Sequence, residues 1–266
     1  MATFEPVKKL LPQSLMVLSA AVVATSIATP VEALQIFYGQ DAGLSKNTRL
    51  VNRPNADAVR DRFLSHLVDV KTEDFDNYRS GCYEGLYIDF PETDTVTLYG
   101  QGCIRNFPTG TNGAGRYPIS GNKYWDTFSN FSIIFPEPVA ALGFYASDIG
   151  DFKGNLTLTL KNDTTATTLT IPSTPNCPDD LVNCQDGSVL YFGVIVQTAS
   201  ELFTEVIFGN VGEMGDFFGF DNLSIGNIKQ IKSLQKPKSI PEKTSVLATL
   251  AFGVLGVVSH LLLKRT

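Results

Sequence analysis

Few side chains in this sequence are placed to do covalent chemistry. Between Leu34 and Gly226 there is one histidine, His66, and a nucleophile needs a base within hydrogen-bond reach. No Gly-x-Ser-x-Gly elbow is present, and cysteines destined for disulfides do not pair with His66. The glycine-rich stretch Gly110-Thr111-Asn112-Gly113-Ala114-Gly115 lacks the lysine of a phosphate-cradling loop and reads as a surface turn. Glycoside hydrolysis asks for less, because a pair of carboxylates across a sugar suffices. Glu84, Asp89, Glu137, Asp148 and Asp151 are available, but no spacing pairs any of them. A non-catalytic protein is therefore the first reading, and an extracellular carbohydrate-active hydrolase the second.

Oxygen-bearing residues cluster at two distant points. Glu73, Asp74 and Asp76 lie early, and Asp221 and Asn222 lie late. The stretches Asp74-Phe75-Asp76 and Phe220-Asp221-Asn222 resemble those of jelly-roll carbohydrate-binding modules, whose first and last strands are neighbours and hold a structural calcium there. The resemblance implies a calcium site built from Asp74, Asp76, Asp221 and Asn222, since Ca²⁺ takes six to eight oxygen ligands. The plainer reading is that these acids cap turns and accept backbone amides. Asp148 and Asp151 in Ser-Asp-Ile-Gly-Asp read as turn residues on the same ground. Tyr117, Tyr124 and Trp125 lie in a weakly patterned stretch from Arg116 to Asp126. There they are candidates for stacking on sugar faces from a loop, set against the ordinary fate of large aromatic side chains, which is burial.

The elements that must position these residues show mostly period two. Leu156-Thr157-Leu158-Thr159-Leu160 alternates cleanly, and Val96-Thr97-Leu98-Tyr99 repeats the pattern. Phe131–Phe135, Val139–Tyr145, Thr167–Ile171, Val189–Val196, Leu202–Phe208 and Phe217–Ile225 are further β-branched or aromatic runs, punctuated by Gly, Pro, Asn and Asp. About eight strands with little helix predict an all-β fold, an antiparallel β-sandwich of jelly-roll type. After Pro54, the spacing of Ala56, Val59, Phe63 and Leu67 predicts one helix, expected to pack over an end of the sandwich with His66 beside its apolar stripe.

Residues 34–226 form one extracellular domain in this reading, long enough for a substantial core. They hold 12 Lys and Arg against 24 Asp and Glu, a net charge of −12, which excludes nucleic acid bound through its phosphates. Cys82, Cys103, Cys177 and Cys184 are even in number, as in exported proteins with disulfides. Of the three pairings open to them, Cys82–Cys103 with Cys177–Cys184 closes the shortest loops.

The two ends carry routing signals. Lys8 and Lys9, an apolar run from Leu10 to Ile27 and the small-residue site Val31-Glu32-Ala33 read as a signal peptide over residues 1–33. Residues 227–244 form a Lys-rich linker, and Ser245–Leu263 is an uncharged run that would span about 28 Å as a helix. Lys264 and Arg265 follow it and would stay in the cytoplasm, leaving the domain outside. Residues 245–266 are thus expected to be a transmembrane helix with a basic tip.

Ile240-Pro241-Glu242-Lys243, the apolar span and the Lys264-Arg265 tip together resemble the tail of the PEP-CTERM family. Lys243 departs from the family's second proline. The resemblance implies sorting by Pro241, Glu242, Lys264 and Arg265, processing by an exosortase-type membrane protease, and association with the cell surface and exopolysaccharide. Phe37-Tyr38-Gly39-Gln40-Asp41, Thr72-Glu73-Asp74-Phe75 and Phe218-Gly219-Phe220-Asp221-Asn222 also resemble extracellular domains found in that family.

Overall fold

The computed structural model describes residues 34–90, 94–128, 130–149, 154–172, 184–212 and 216–232. The signal peptide, Asp151, Cys177, the sorting residues Pro241, Glu242, Lys264 and Arg265, and the apolar run 245–263 lie outside the described residues. Among the described residues no helix is long and apolar enough to cross a membrane.

The described chain is mostly strand. In order come β1 (Leu34–Asp41), helix α1 (Pro54–Ser65), β2 (Thr72–Glu73), β3 (Gly81–Phe90), β4 (Asp94–Asn106), β5 (Lys123–Phe128), β6 (Phe131–Val139), β7 (Ala141–Ser147), β8 (Gly154–Lys161), β9 (Ala166–Ile171), β10 (Val189–Val196), β11 (Phe203–Gly212) and β12 (Phe217–Gly226). Every pairing is antiparallel, in the order β1-β10-β7-β12-β5-β4-β6-β11-β8-β9, with β2 on β12 and β3 on β4.

This sheet curls on itself, and β4 makes the turn. Its residues 102–106 pair with β5, while 97–99 pair with β6. Between them Gly100 adopts φ +141°, and a side chain there would strike the Cβ of Phe131 at 2.7 Å. The two arms face each other across an aromatic core. Phe144 and Phe220 of one arm meet Phe208 of the other at ring separations of 5.3 and 5.8 Å, and Phe131 stacks on Phe208 at 4.2 Å. The two ends of the sheet also approach, since the Tyr38 hydroxyl of β1 donates to the carbonyl of Pro172 beyond β9 at 2.9 Å.

Four of these strands were not expected as such: β1, β2, β3 and β5. The Val139–Tyr145 run is also not one strand. It breaks after Val139, so that β6 stays in the second arm and β7 begins in the first.

Helix α1 covers a face of the first arm instead of an end of the sheet. Its ring Phe63 fills a socket left by Gly143 and Gly193, which oppose each other on β7 and β10. A Cβ on either glycine would come within 2.6 Å of that ring. Phe37, Ala56, Tyr145 and Tyr191 complete a second buried cluster beneath the helix. His66, just past the helix end, lies against the Phe37 ring at 5.3 Å.

Candidate functional site

The β3–β4 hairpin positions the candidate site. Along β4 the side chains of Val96, Leu98 and Ile104 turn to the core, with Gly102 buried on the same face, while Tyr99, Gln101, Cys103 and Arg105 stand on the outer face. On β3, Cys82 and Glu84 share that outer face, and Cys82 sits opposite Cys103. The two cysteines form a disulfide, as the sequence led us to expect. Cys184 is disulfide-bonded as well, and its expected partner, Cys177, lies outside the described residues.

Beside this hairpin opens a groove of about 500 Å³, lined by Cys82, Tyr83, Glu84, Gln101, Gly102, Cys103, Arg105, Asp126 and Phe217. Asp126, only 6% exposed, accepts from Arg105 Nε at 3.3 Å and from Arg116 Nε at 2.7 Å. Arg116 also approaches Asp148 at 3.6 Å and places its guanidinium 5.6 Å from the Phe217 ring centre. Phe217 packs edge-on to Phe128 at 5.2 Å and still shows 43% of its surface. The result is a fixed row of alternating charge with an aromatic edge at the rim. Removing one partner would leave a nearly buried Asp126 short of its compensating charge, so the pair is held by structure before any ligand arrives. Arg105 is half exposed and engages Asp126 through Nε alone among the described residues. Its two terminal amino groups remain for a ligand.

This arrangement suits hydrogen bonding to hydroxyl groups rather than proton transfer. Asp126 has both oxygens committed to guanidinium donors, Oδ2 to Arg105 and Oδ1 to Arg116. A smaller cleft of about 300 Å³, lined by Gln35, His66, Ile195, Gln197, Ile228, Ile231 and Lys232, lacks such a charged row.

The aromatic residues expected to stack on sugars are elsewhere. Tyr117, Tyr124 and Trp125 are all fully buried, which corrects the expectation that they form an exposed loop platform. The physical reason is that Lys123–Phe128 is strand β5, inserted between β4 and β12. The Trp125 indole occupies the place a side chain on Gly102 would take, 2.0 Å from where its Cβ would stand. Tyr117 donates from its hydroxyl to the Gly187 carbonyl at 2.8 Å and accepts from Leu50 N at 3.0 Å. Burial is the main cause that pushes its phenol up to about 12. Tyr124 is pushed up as well, again first by burial.

The early and late acidic stretches do meet. β2 pairs with β12 through Glu73 and Leu223, and Asp74 lies close enough to raise the pKa of Asp221. Their oxygens, however, serve backbone amides. Asp221 Oδ2 accepts from Ile119 N at 2.6 Å and Ser120 N at 3.2 Å, and its Oδ1 from Asn222 N at 2.7 Å. Asp76 Oδ1 accepts from Asn122 N and Lys123 N, both at 2.8 Å, and Asp74 Oδ1 from Asp76 N at 3.1 Å. Asn222 Oδ1 takes the Ser120 hydroxyl at 2.7 Å. Among the described residues no three Asp, Glu, His or Cys side chains converge as a metal site. As placed, the set is engaged by amide and hydroxyl donors. It holds the 117–123 segment against the sheet, which is the turn-capping role.

Of the loose acids, Glu84 faces the groove and Asp89 accepts the Thr95 hydroxyl at 2.9 Å. Asp148 is nearly buried and accepts Gly187 N at 3.0 Å. The sequence reading missed Gln101, Arg105, Asp126 and Phe217. The signal for the first two was interrupted, because Gly100 and Gly102 take the inward positions between Leu98 and Ile104 and break the apolar alternation recognised in Val96–Tyr99.

No family model matches the chain, and no curated protein does. Among solved structures, the chain is similar to the K2 cleaved adhesin domain of Lys-gingipain, with 14% identity over 59% of this chain and 97% of that one, at a TM-score of 0.33. The K3 cleaved adhesin domain of Lys-gingipain from Porphyromonas gingivalis w83 shares 11% identity over 59% of this chain and 98% of its own, at 0.29. TmCBM61 in complex with β-1,4-galactotriose shares 14% over 58% and 91%, at 0.22. At these TM-scores the likenesses carry no argument about this chain.

Proposed function

We propose that this is a non-catalytic, exported surface protein whose domain, a sandwich of jelly-roll type, binds polysaccharide in the groove beside β3 and β4. The observation that carries the reading is the groove itself. It is open and roomy, and it combines the Arg105–Asp126–Arg116 row with Gln101, Glu84 and the exposed edge of Phe217. Carbohydrates are recognised by such mixtures, in which a few fixed polar groups orient hydroxyls and an aromatic surface covers the apolar ring hydrogens. The acidic balance of residues 34–226 favours uncharged partners over nucleic acid. The signal peptide at residues 1–33, the apolar run 245–263 and the Pro241-Glu242 motif support export, anchoring in a membrane and handling by an exosortase-type protease.

The hydrolase reading stands behind this one, because both oxygens of Asp126 are already taken up by arginine donors and glycoside hydrolysis needs a pair of available carboxylates. The test is binding of the purified protein to an array of soluble polysaccharides, alongside Arg105→Ala and Phe217→Ala. The expected outcome is retention of at least one polymer by the wild type, weakened about tenfold in each variant. A wild type that retains no polysaccharide would overturn the reading.

A further inference from the structure

We infer that the binding track does not stop at the groove but continues along the outer face of β3 and β4 onto Tyr87 and Tyr99, a platform for a neutral polysaccharide chain. The inference rests on the carbohydrate reading of the groove and extends it from a few sugar units to a polymer.

Register places the tyrosines. Tyr87 opposes Thr97, and Gly85 opposes Tyr99, so the two rings occupy one diagonal of a four-residue block with small residues on the other diagonal. Tyr87 is 68% exposed and Tyr99 63%. Among the described residues neither ring packs on another aromatic ring, and neither hydroxyl has a hydrogen-bond partner. Diagonal neighbours on adjacent strands stand roughly 7 Å apart, so both ring faces are open to one ligand lying across them. Because Tyr99, Gln101, Cys103 and Arg105 alternate onto the same outer face, platform and groove form one stripe. Followed along β4 through its bend at Gly100, the stripe from the row of Tyr87 and Thr97 to Arg105 has a contour of roughly 26 Å at a strand's rise per residue.

Gly85 sits at the register shift of the β3–β4 ladder and puts no side chain opposite Tyr99. Its φ is not positive and an added Cβ would meet no atom closer than 3.9 Å, so the position has room for a side chain. Thr95, Thr97, Asp89 and Glu84 border the rings on β3 and β4, and on β6 Ser132 stands opposite Tyr99 and the exposed Ile134 opposite Thr97, so polar groups interrupt the apolar surface, which is not a continuous patch of the kind that buries a protein partner. The acids among them, in a domain of net charge −12, disfavour a polyanionic chain and leave a neutral one.

The experiment uses the full-length protein on cellulose-, xylan-, mannan- and β-1,3-glucan-derived polymers, with alginate as the polyanion. A ladder from disaccharide to hexasaccharide of each polymer retained is then titrated. The wild type is expected to gain about tenfold in affinity along the ladder. Tyr87→Ala with Tyr99→Ala should bind the disaccharide as the wild type does and lose that gain. Gly85→Val, which covers the flank of Tyr99 without deleting a ring, should do the same. Variants that follow the wild-type ladder throughout would overturn the platform while leaving the groove intact. Loss at every length would overturn it too, by placing the tyrosines in the primary site. So would wild-type self-association abolished by the tyrosine variants, which would assign the face to a second copy of the chain. Failure of the wild type to retain any neutral polymer would remove the groove reading first and the platform with it.

Discussion

Asp221 is a fully buried carboxyl that accepts three backbone amides and stitches the last long strand to the 117–123 segment. Burial pushes its pKa well above the usual carboxylate value, and the amide donors offset only part of that. Glu73 on the neighbouring strand is raised as well, again chiefly by burial. A carboxyl with a raised folded-state pKa contributes stability that is fully present below the unfolded value near 4 and is lost as pH rises through the folded value. For Asp221→Asn we expect a loss of about 1–3 kcal/mol, because the new amide nitrogen leaves a buried backbone donor unpaired. The gap between wild type and variant should widen on acidification from neutral pH, since only the wild type gains from protonation. Urea melts at a series of pH values check this, and a gap independent of pH would contradict it. Backbone conformation at this junction is also unusual. Phe75 and Asn222 adopt φ of +61° and +51°, which asparagine tolerates and a buried phenylalanine accepts only at some cost.

At the scale of elements, the β3–β4 hairpin carries both the bend of the sheet and the candidate site. Its pairing register shifts between Tyr83 and Gly85, next to the Cys82–Cys103 bridge. The disulfide closes a loop with a sequence separation of 21 residues, and such a closure contributes on the order of 3 kcal/mol by restricting the unfolded chain. Replacing both cysteines with serine should therefore lower unfolding stability by about 2–3 kcal/mol in chemical denaturation. The groove lies against the bridge, so the proposed binding of polysaccharide should weaken in parallel. Period-two patterning made strands such as Leu156–Leu160 legible, because one face of each is buried. It failed for β5, where Tyr124, Trp125, Asp126 and Thr127 are all buried on a strand enclosed on both sides, so no polar face marks the alternation. The helix was legible from Ala56, Val59 and Phe63, but its docking site was not. That site is made by Gly143 and Gly193, whose meeting depends on the register of β7 with β10.

For the whole molecule, the curled sheet brings residues 72–76 and 220–224 together although about 150 residues separate them in the chain. The junction is closed by carboxylate–amide hydrogen bonds, so we expect the thermal midpoint of the protein to be the same with calcium and with chelator. A fall of several degrees on chelation would return a structural calcium to this site. The sequence alone determined that the protein is rich in antiparallel strands, that Cys82 and Cys103 suit a local bridge, and where the acidic stretches lie. These follow from local periodicity, composition and short-range spacing. Which aromatic rings face solvent was settled by the folded arrangement of the strands. Tyr117, Tyr124 and Trp125 went to the core, while Tyr87, Tyr99 and Phe217 stayed outside. That choice depends on which strands cover which faces, and long-range pairing sets it. The same holds for Asp126, whose meeting with Arg105 and Arg116 needs β4, β5 and the 107–122 connection folded together.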